Sequence, residues 1–125
     1  MRDSETRIEE MKKALREFVE ERDWKQFHTP KDLAIAISVE AAEILEHFRF
    51  RDEKELEKYL ADEENVREIG YEMADVLSFL VRLSDVTGID LANSVEEKMK
   101  KNSKRYPVGT ASGNGWMKIK RDERR

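Results

Sequence analysis

The sequence predicts an all-α fold, and two observations favour that class. Residues that interrupt helices are scarce: the 125 residues include five glycines and two prolines, and only Gly70 and Gly88 fall between Pro30 and Pro107. Along most of the chain, apolar residues recur at the i, i+3, i+4 spacing of one helical face. We therefore expect one helical domain over residues 1–108, followed by a flexible basic tail over residues 109–125.

The first two helices are predicted at residues 4–22 and 30–48. The first has an amphipathic stripe made of Ile8, Met11, Leu15, Phe18 and Val19. The second begins at Thr29 and Pro30, because a threonine side chain caps a helix well and proline is tolerated at the first helical position, where its missing N–H would be unpaired anyway. This pair of residues predicts a sharply defined helix start.

The remaining helices are predicted at residues 63–87 and 90–106. Gly88 is well placed to end the former, and Asp90 can cap the latter, which must stop before Pro107. Residues 51–62 are highly charged with weak apolar spacing, and they predict either a short helix or an ordered connection. Four long helices are therefore expected, in keeping with a four-helix bundle.

The composition excludes several classes of protein and of site. No cysteine is present and only two histidines are, so disulfides, thiol nucleophiles and histidine-rich metal sites are excluded, and any metal must be held by oxygen. No apolar run is long enough to span a membrane, and the charged start does not resemble a secretion signal. We expect a cytoplasmic protein without a membrane partner.

Two acidic pairs lie in the two most apolar helices. Ten of the thirteen residues from 33 to 45 are aliphatic, yet Glu40 and Glu43 are among them, and Glu72 and Asp75 enter the apolar run from 73 to 83 in the same way. The i, i+3 spacing places both members of a pair on one helical face. Unpaired carboxylates are costly to bury, so four of them together predict a cation, and oxygen-only ligands favour Mg²⁺ or Mn²⁺. The alternative is buried salt bridges, for which Arg82 is the nearest candidate.

Charge is unevenly distributed along the chain. Residues 1–97 carry a net charge of −12 and residues 98–125 a net charge of +8. Lys98, Lys101, Asn102 and Arg105 share one face of the last helix, and such a stripe suits phosphates. It could equally be a solvated helix end whose cations complement the helix dipole. With the acidic pairs, it could bind a triphosphate chelated by Mg²⁺.

Aromatic residues flank the first acidic helix. Trp24 and His28 precede it and Phe50 follows it, and these side chains could bracket a nucleobase by stacking and hydrogen bonding. The alternative interpretation is that Phe27 and Phe48, and aromatic residues in loops generally, fill the ends of the bundle.

The combined pattern resembles a known family. Glu40-x-x-Glu43, a gap of 28 residues, Glu72-x-x-Asp75, then Lys98 and the run Asn102 to Pro107 are similar to the MazG-like branch of the all-α NTP pyrophosphohydrolase superfamily. The segment from Trp24 to Phe48 resembles the dCTP pyrophosphatase subgroup in particular. The resemblance implies a helical bundle that assembles as a dimer or a dimer of dimers.

The resemblance also implies roles for individual residues. Glu40, Glu43, Glu72 and Asp75 would bind Mg²⁺ and serve catalysis, Lys98 and Asn102 would contact the nucleotide, and the base and sugar pocket would be lined by Trp24, His28, Phe50 and Phe79. Arg105, on the same stripe as Lys98, is a further candidate for the phosphates. Phe50 stands where a tryptophan is usual, and Leu15 lies near a position where some relatives have a base-contacting histidine, so the preference for cytosine stays open.

The implied reaction is hydrolysis between the α- and β-phosphates of a deoxynucleoside triphosphate, which releases the monophosphate and pyrophosphate. The expected substrate is dCTP or a related pyrimidine nucleotide, with dUTP or another phosphoanhydride as an alternative within the same chemistry. A homodimer or homotetramer is expected, and nucleic acid is not expected as a partner. The alternative from another class is a non-catalytic module with structural carboxylates and a basic tail that binds nucleic acid or a partner.

Overall fold

The fold is described from a computed structural model that covers residues 1–125. It contains seven α-helices and no strands, which confirms the all-α prediction. The helices are α1 (Ile8–Glu21), α2 (Pro30–Phe48), α3 (Glu53–Leu60), α4 (Glu63–Thr87), α5 (Leu91–Arg105), α6 (Val108–Ala111) and α7 (Gly115–Glu123), with a short 3-10 helix at Lys25–Phe27. None of them combines the length and the apolar composition needed to cross a bilayer.

The chain divides into two compact units, Met1–Ile89 and Asp90–Arg125, here called the N-terminal and C-terminal units. In the N-terminal unit α4 is central, because α2 packs along it most extensively and α1 and α3 also pack against it. The deepest apolar side chains are Val19 of α1, Leu33 of α2, and Ile69 and Val81 of α4. The core of this unit is therefore the seam of α1 and α2 with α4.

Local sequence signals set the helix ends as expected. The Thr29 hydroxyl accepts a hydrogen bond from the Asp32 amide at 3.2 Å, and Pro30 is the first residue of α2. Gly88 ends α4 in the left-handed conformation, with φ +73°, and the Asp90 carboxylate accepts from the Asn93 amide at 2.8 Å to cap α5. Residues 53–60 form the short helix that was one of the two alternatives for the charged segment.

The start of α1 differs from the prediction. The helix begins at Ile8 rather than near residue 4, because the Glu10 carboxylate accepts a hydrogen bond at 2.6 Å from the amide of Arg7, the N-cap residue. The preceding residues form a turn in which the Thr6 amide donates to the Arg2 carbonyl.

The segment 109–125 was expected to be a flexible tail, yet the structure gives it helical backbone in α6 and α7. Two contacts accompany this within the C-terminal unit. The Arg105 guanidinium pairs with the Glu123 carboxylate through two hydrogen bonds, and Lys120 lies over the ring of Trp116. Gly115 lies so close to the Thr110 carbonyl that a Cβ atom would clash there. The boundary at residue 108 and the cytoplasmic location stay predictions.

Candidate active site

The packing of α2 against α4 brings three of the four predicted acidic residues together. One carboxylate oxygen from each of Glu40, Glu72 and Asp75 lies within 4.8 Å of the others, with Glu40 and Glu72 half-buried and Asp75 exposed. Oxygens bound to one Mg²⁺ ion lie about 3 to 4 Å apart, because each is about 2.1 Å from the ion. The donor type and spacing therefore fit a hard divalent cation after small side-chain rotations.

Glu43 lies outside this group of three. Its side chain is exposed, and it does not belong to the three residues whose carboxylate oxygens lie within 4.8 Å of one another. Its charge still acts on the cluster, because it is one of the groups that raise the pKa of Glu40. The assignment of Glu43 as a metal ligand stays a prediction.

The cluster carries negative charge without a cationic partner. Burial is the main cause that raises the pKa of Glu40, and the charges of Asp75, Glu72 and Glu43 raise it further. None of the four carboxylates forms an ion pair within 4.0 Å with a lysine, arginine or histidine. A bound cation would relieve this repulsion, which is the arrangement expected of a metal site.

The alternative to a metal site was that buried salt bridges neutralise the acidic pairs, with Arg82 as the nearest cation. The structure places the Arg82 side chain elsewhere. Arg82 is only 3% exposed. Its Nη1 donates to the Asp85 carboxylate at 3.1 Å, and its Nε donates to Nδ1 of His28 at 3.3 Å. The buried arginine therefore leaves the acidic cluster unpaired.

An aromatic cavity of about 390 Å³ adjoins the acidic cluster in the N-terminal unit, and Asp75 lines it. Three of the residues expected in a base pocket, Trp24, His28 and Phe79, line it too. The His28 and Phe79 rings meet edge to face at 6.2 Å between centroids. The other lining residues are Leu15, Phe18, Val19, Ser78 and Arg82. The structure thus joins a base-sized aromatic cavity to one of the candidate metal ligands.

Phe50 is not part of this cavity. It is 89% exposed, its backbone has φ +64°, and its ring lies under the Arg49 guanidinium at 4.7 Å. Its expected role in binding the base or sugar stays a prediction.

The predicted phosphate ligands lie together in the C-terminal unit. Lys98, Asn102 and Arg105 line one open cavity of about 430 Å³ with Tyr106, Trp116 and Lys120. The pairing of Arg105 with Glu123 raises the pKa of that arginine and lowers the pKa of the glutamate, chiefly through their hydrogen bonds. The three side chains thus share one basic surface, and their role toward a nucleotide stays a prediction.

Sequence reasoning missed one partly buried polar network in the N-terminal unit. Arg16 of α1 holds Asp85 through two hydrogen bonds of 2.8 and 2.9 Å, and Asp85 in turn holds Arg82. The hydrogen bond from Arg16 is the main cause that lowers the pKa of Asp85. The i, i+3 spacing of Arg82 and Asp85 was a usable signal, but Arg16 is distant in sequence and only the packing of α1 on α4 reveals it.

Sequence and structure comparisons give the family. The sequence model of the MazG-like family matches residues 35–116, which include all four acidic residues and the predicted phosphate ligands. The chain belongs to the MazG-like family.

Relatives of this MazG-like chain include dCTP pyrophosphatase 1 of Bos taurus, which is 34% identical over 110 residues. The human dCTP pyrophosphatase 1 is 34% identical over 107 residues. The matched regions cover 88% and 86% of this chain, but 65% and 63% of the two relatives. The chain thus spans just under two thirds of the length of the curated relatives it matches.

A solved structure is also similar. The crystal structure of a pyrophosphatase from Archaeoglobus fulgidus superposes with a TM-score of 0.73 at 40% sequence identity, and the match covers 86% of this chain and 98% of that chain.

Proposed function

We propose that this MazG-like protein is a Mg²⁺-dependent nucleoside triphosphate pyrophosphohydrolase, which cleaves between the α- and β-phosphates and releases a monophosphate and pyrophosphate. One observation carries the proposal: Asp75 belongs both to a cluster of unpaired carboxylates and to an aromatic cavity. A metal-chelated triphosphate attached to a base needs those two features side by side. The names of the relatives support the same chemistry.

The metal ligands proposed are Glu40, Glu72 and Asp75, with Glu43 as the fourth carboxylate. When bound, Mg²⁺ would neutralise phosphate oxygens and make a water molecule more acidic. The carboxylates orient this chemistry, and one of them helps to position or deprotonate the attacking water. Trp24 and Phe79 offer aromatic surfaces on which a base can stack.

The proposed substrate is a deoxypyrimidine triphosphate, with dCTP as the first candidate because the mammalian relatives carry that name. The cavity of about 390 Å³ suits a single small ring system with its sugar. Two departures from the pattern of the dCTP-cleaving relatives bear on the base, namely Phe50 and, near a second position, Leu15. The nucleotide panel below measures which base is preferred.

We also propose a homodimer or a homotetramer. The supporting observation is the number of apolar side chains that the single chain leaves exposed along α2 and α4. They include Ile35, Val39, Leu45, Tyr71 and Met73, each of which is more than half exposed. Sedimentation equilibrium measures the assembly directly, and a monomer at micromolar concentration contradicts this part of the proposal.

Turnover of a nucleotide panel tests the function. The purified protein is incubated with each common NTP and dNTP, with and without Mg²⁺, and the products are resolved. We expect monophosphate and pyrophosphate, formed only with metal and fastest from one deoxypyrimidine substrate.

Two variants separate the enzyme from a non-catalytic module. Glu72→Gln removes a proposed ligand, whereas Glu17→Gln changes an exposed glutamate of α1 that forms no ion pair. Turnover lost in the first variant and kept in the second supports the enzyme. Equal turnover in both variants contradicts it, and binding of nucleic acid without turnover supports the module.

A further inference from the structure

A chain of hydrogen bonds leads from α1 to the candidate base pocket. Arg16 donates twice to Asp85, Asp85 accepts from Nη1 of Arg82, and Nε of Arg82 donates to Nδ1 of His28. His28 lines the aromatic cavity next to Phe79. The proposed chemistry of phosphate cleavage makes no use of Arg16, Asp85 or Arg82, although Arg82 is almost fully buried.

The direction of the bond between Arg82 and His28 is fixed by chemistry. A guanidinium N–H donates and cannot accept, because arginine stays protonated in proteins. Nδ1 of His28 must therefore be the unprotonated, accepting nitrogen. A neutral imidazole carries one proton, which leaves it on Nε2, and that nitrogen is a donor.

We infer that Arg82 is a positioning residue that fixes the His28 ring as an Nε2–H donor, so that the cavity selects bases with a hydrogen-bond acceptor at that point. This rests on the proposed function, since it takes the cavity to be the site of the base. The ligand class is a nucleotide whose base presents a carbonyl oxygen or an unprotonated ring nitrogen. A base of the same shape without a strong acceptor is disfavoured.

Two further observations agree with a neutral, fixed ring. Burial lowers the pKa of His28, and the Arg82 charge lowers it further, so both effects oppose a second proton. Asp85 Oδ2 accepts from Nη1 of Arg82 and keeps the guanidinium from turning away, because Arg16 holds both oxygens of that carboxylate in place. Arg82 is thus held by Asp85 and contacts His28, and these two contacts restrict the His28 ring.

Nitrogen-15 NMR of the two histidines tests the tautomer in the wild-type protein. Spectra recorded above the pKa of His28 distinguish a protonated from an unprotonated ring nitrogen. His47→Gln assigns the signals, because His47 is the other histidine of the chain and contacts Tyr59 instead. We expect Nδ1 unprotonated and Nε2 protonated in His28. A proton on Nδ1, or on both nitrogens, overturns the inference.

Arg82→Lys tests the role of the arginine. Lysine keeps the positive charge beside Asp85 but has no Nε–H to place against the ring. We expect a mixture of the two His28 tautomers in this variant. A spectrum identical to that of the wild type overturns the positioning role. If the variant does not fold, Asp85→Asn serves instead, because it loosens the hold on Arg82 and leaves the arginine in place.

A comparison of two substrates tests whether the cavity selects bases that carry a hydrogen-bond acceptor. The kcat/KM for the preferred natural dNTP is divided by that for an analogue whose base is a fluorinated benzene of nearly the same shape, which lacks strong acceptors. One hydrogen bond predicts a ratio of about tenfold in the wild type. The ratio should fall toward one in His28→Phe and to an intermediate value in Arg82→Lys, mainly through KM. A ratio unchanged in both variants overturns the inference.

Failure of the proposed function can be distinguished from failure of the inference about Arg82 and His28. A wild-type protein that hydrolyses no nucleotide contradicts the proposed function, while the NMR spectra still decide whether Arg82 fixes His28. A wild-type protein that hydrolyses the natural dNTP and its analogue equally well contradicts the selection alone.

Discussion

The replacement of Glu72 by glutamine should stabilise the metal-free protein and remove its response to Mg²⁺. Glutamine has nearly the same shape and helix propensity as glutamate, so α4 is not disturbed. The change removes one of three negative charges whose oxygens lie within 4.8 Å of one another. The stability of the protein without metal should therefore rise.

The magnitude follows from Coulomb's law. Two unit charges at the upper limit of this spacing, 4.8 Å, repel by about 0.9 kcal/mol in bulk water and about 3.5 kcal/mol at an effective dielectric constant near 20. Glu72 is half-buried and Asp75 exposed, so the smaller figure is closer. Glu72 faces two such partners, and the expected gain is therefore about 2 kcal/mol at low ionic strength, less in salt.

Mg²⁺ should reverse the order of stability, so that the wild type becomes more stable than Glu72→Gln. A ligand at a hundred times its dissociation constant stabilises a folded protein by about 2.7 kcal/mol. The wild type should show this rise with Mg²⁺, and Glu72→Gln should show little of it because it has lost a charged ligand. Urea unfolding followed by circular dichroism, with and without Mg²⁺ at constant ionic strength, measures both effects. Glu17→Gln is the matched control and should follow the wild type. If Glu72→Gln is no more stable without metal and gains as much from Mg²⁺ as the wild type, the cluster is not a metal site.

Four further predictions concern the core, the network of Arg16, Asp85 and Arg82, a helix end and the phosphate ligands. Leu33→Ala should lower the free energy of unfolding by about 3 kcal/mol, because the side chain is only 1% exposed; a loss below about 1 kcal/mol in urea titrations would contradict this packing. Asp85→Asn should cost about 3 kcal/mol at neutral pH. Folding lowers the pKa of Asp85. Its contribution to the free energy of unfolding is therefore present above the ordinary pKa of 3.8 and is lost as the pH falls through the folded pKa. A difference in stability between the variant and the wild type that stays constant in acid would refute this. Gly88→Ala should destabilise by about 1 kcal/mol because φ is +73° with open space for a Cβ, whereas Gly70→Ala in the interior of α4 should stabilise by about 0.5 to 1 kcal/mol. Thermal melts measure both changes, and equal signs would contradict one of the two assignments. Lys98→Gln should raise KM for the nucleotide about tenfold with an unchanged circular dichroism spectrum, and steady-state kinetics with an unaltered KM would remove Lys98 from the site.

The four long helices and most of their ends could be predicted because their causes are local. A cap such as Thr29, a terminator such as Gly88 and an i, i+3 acidic pair depend on residues within one or two turns. The start of α1 was predicted too early for the same kind of reason, since the side chain that decides it, Glu10, lies inside the expected helix and bonds back to Arg7.

The burial of individual apolar residues could not be predicted in α2. This helix is aliphatic on most of its surface, so the sequence has no polar face to indicate which side meets α4. Leu33 is 1% exposed and Ile35 is 51% exposed, although both are large aliphatic residues two positions apart. Only the packing of α2 on α4 distinguishes them.

The sequence by itself determined the all-α class, the boundaries of the four long helices to within a few residues, the two acidic pairs and the lack of cysteine ligands, because spacing and composition are properties of the chain alone. The tertiary structure decided the rest. It grouped Glu40 with Glu72 and Asp75 and left Glu43 outside, and it paired Arg82 with Asp85 and His28 instead of the acids. These outcomes depend on which faces of α1, α2 and α4 meet, and interhelical packing joins residues that no local pattern connects.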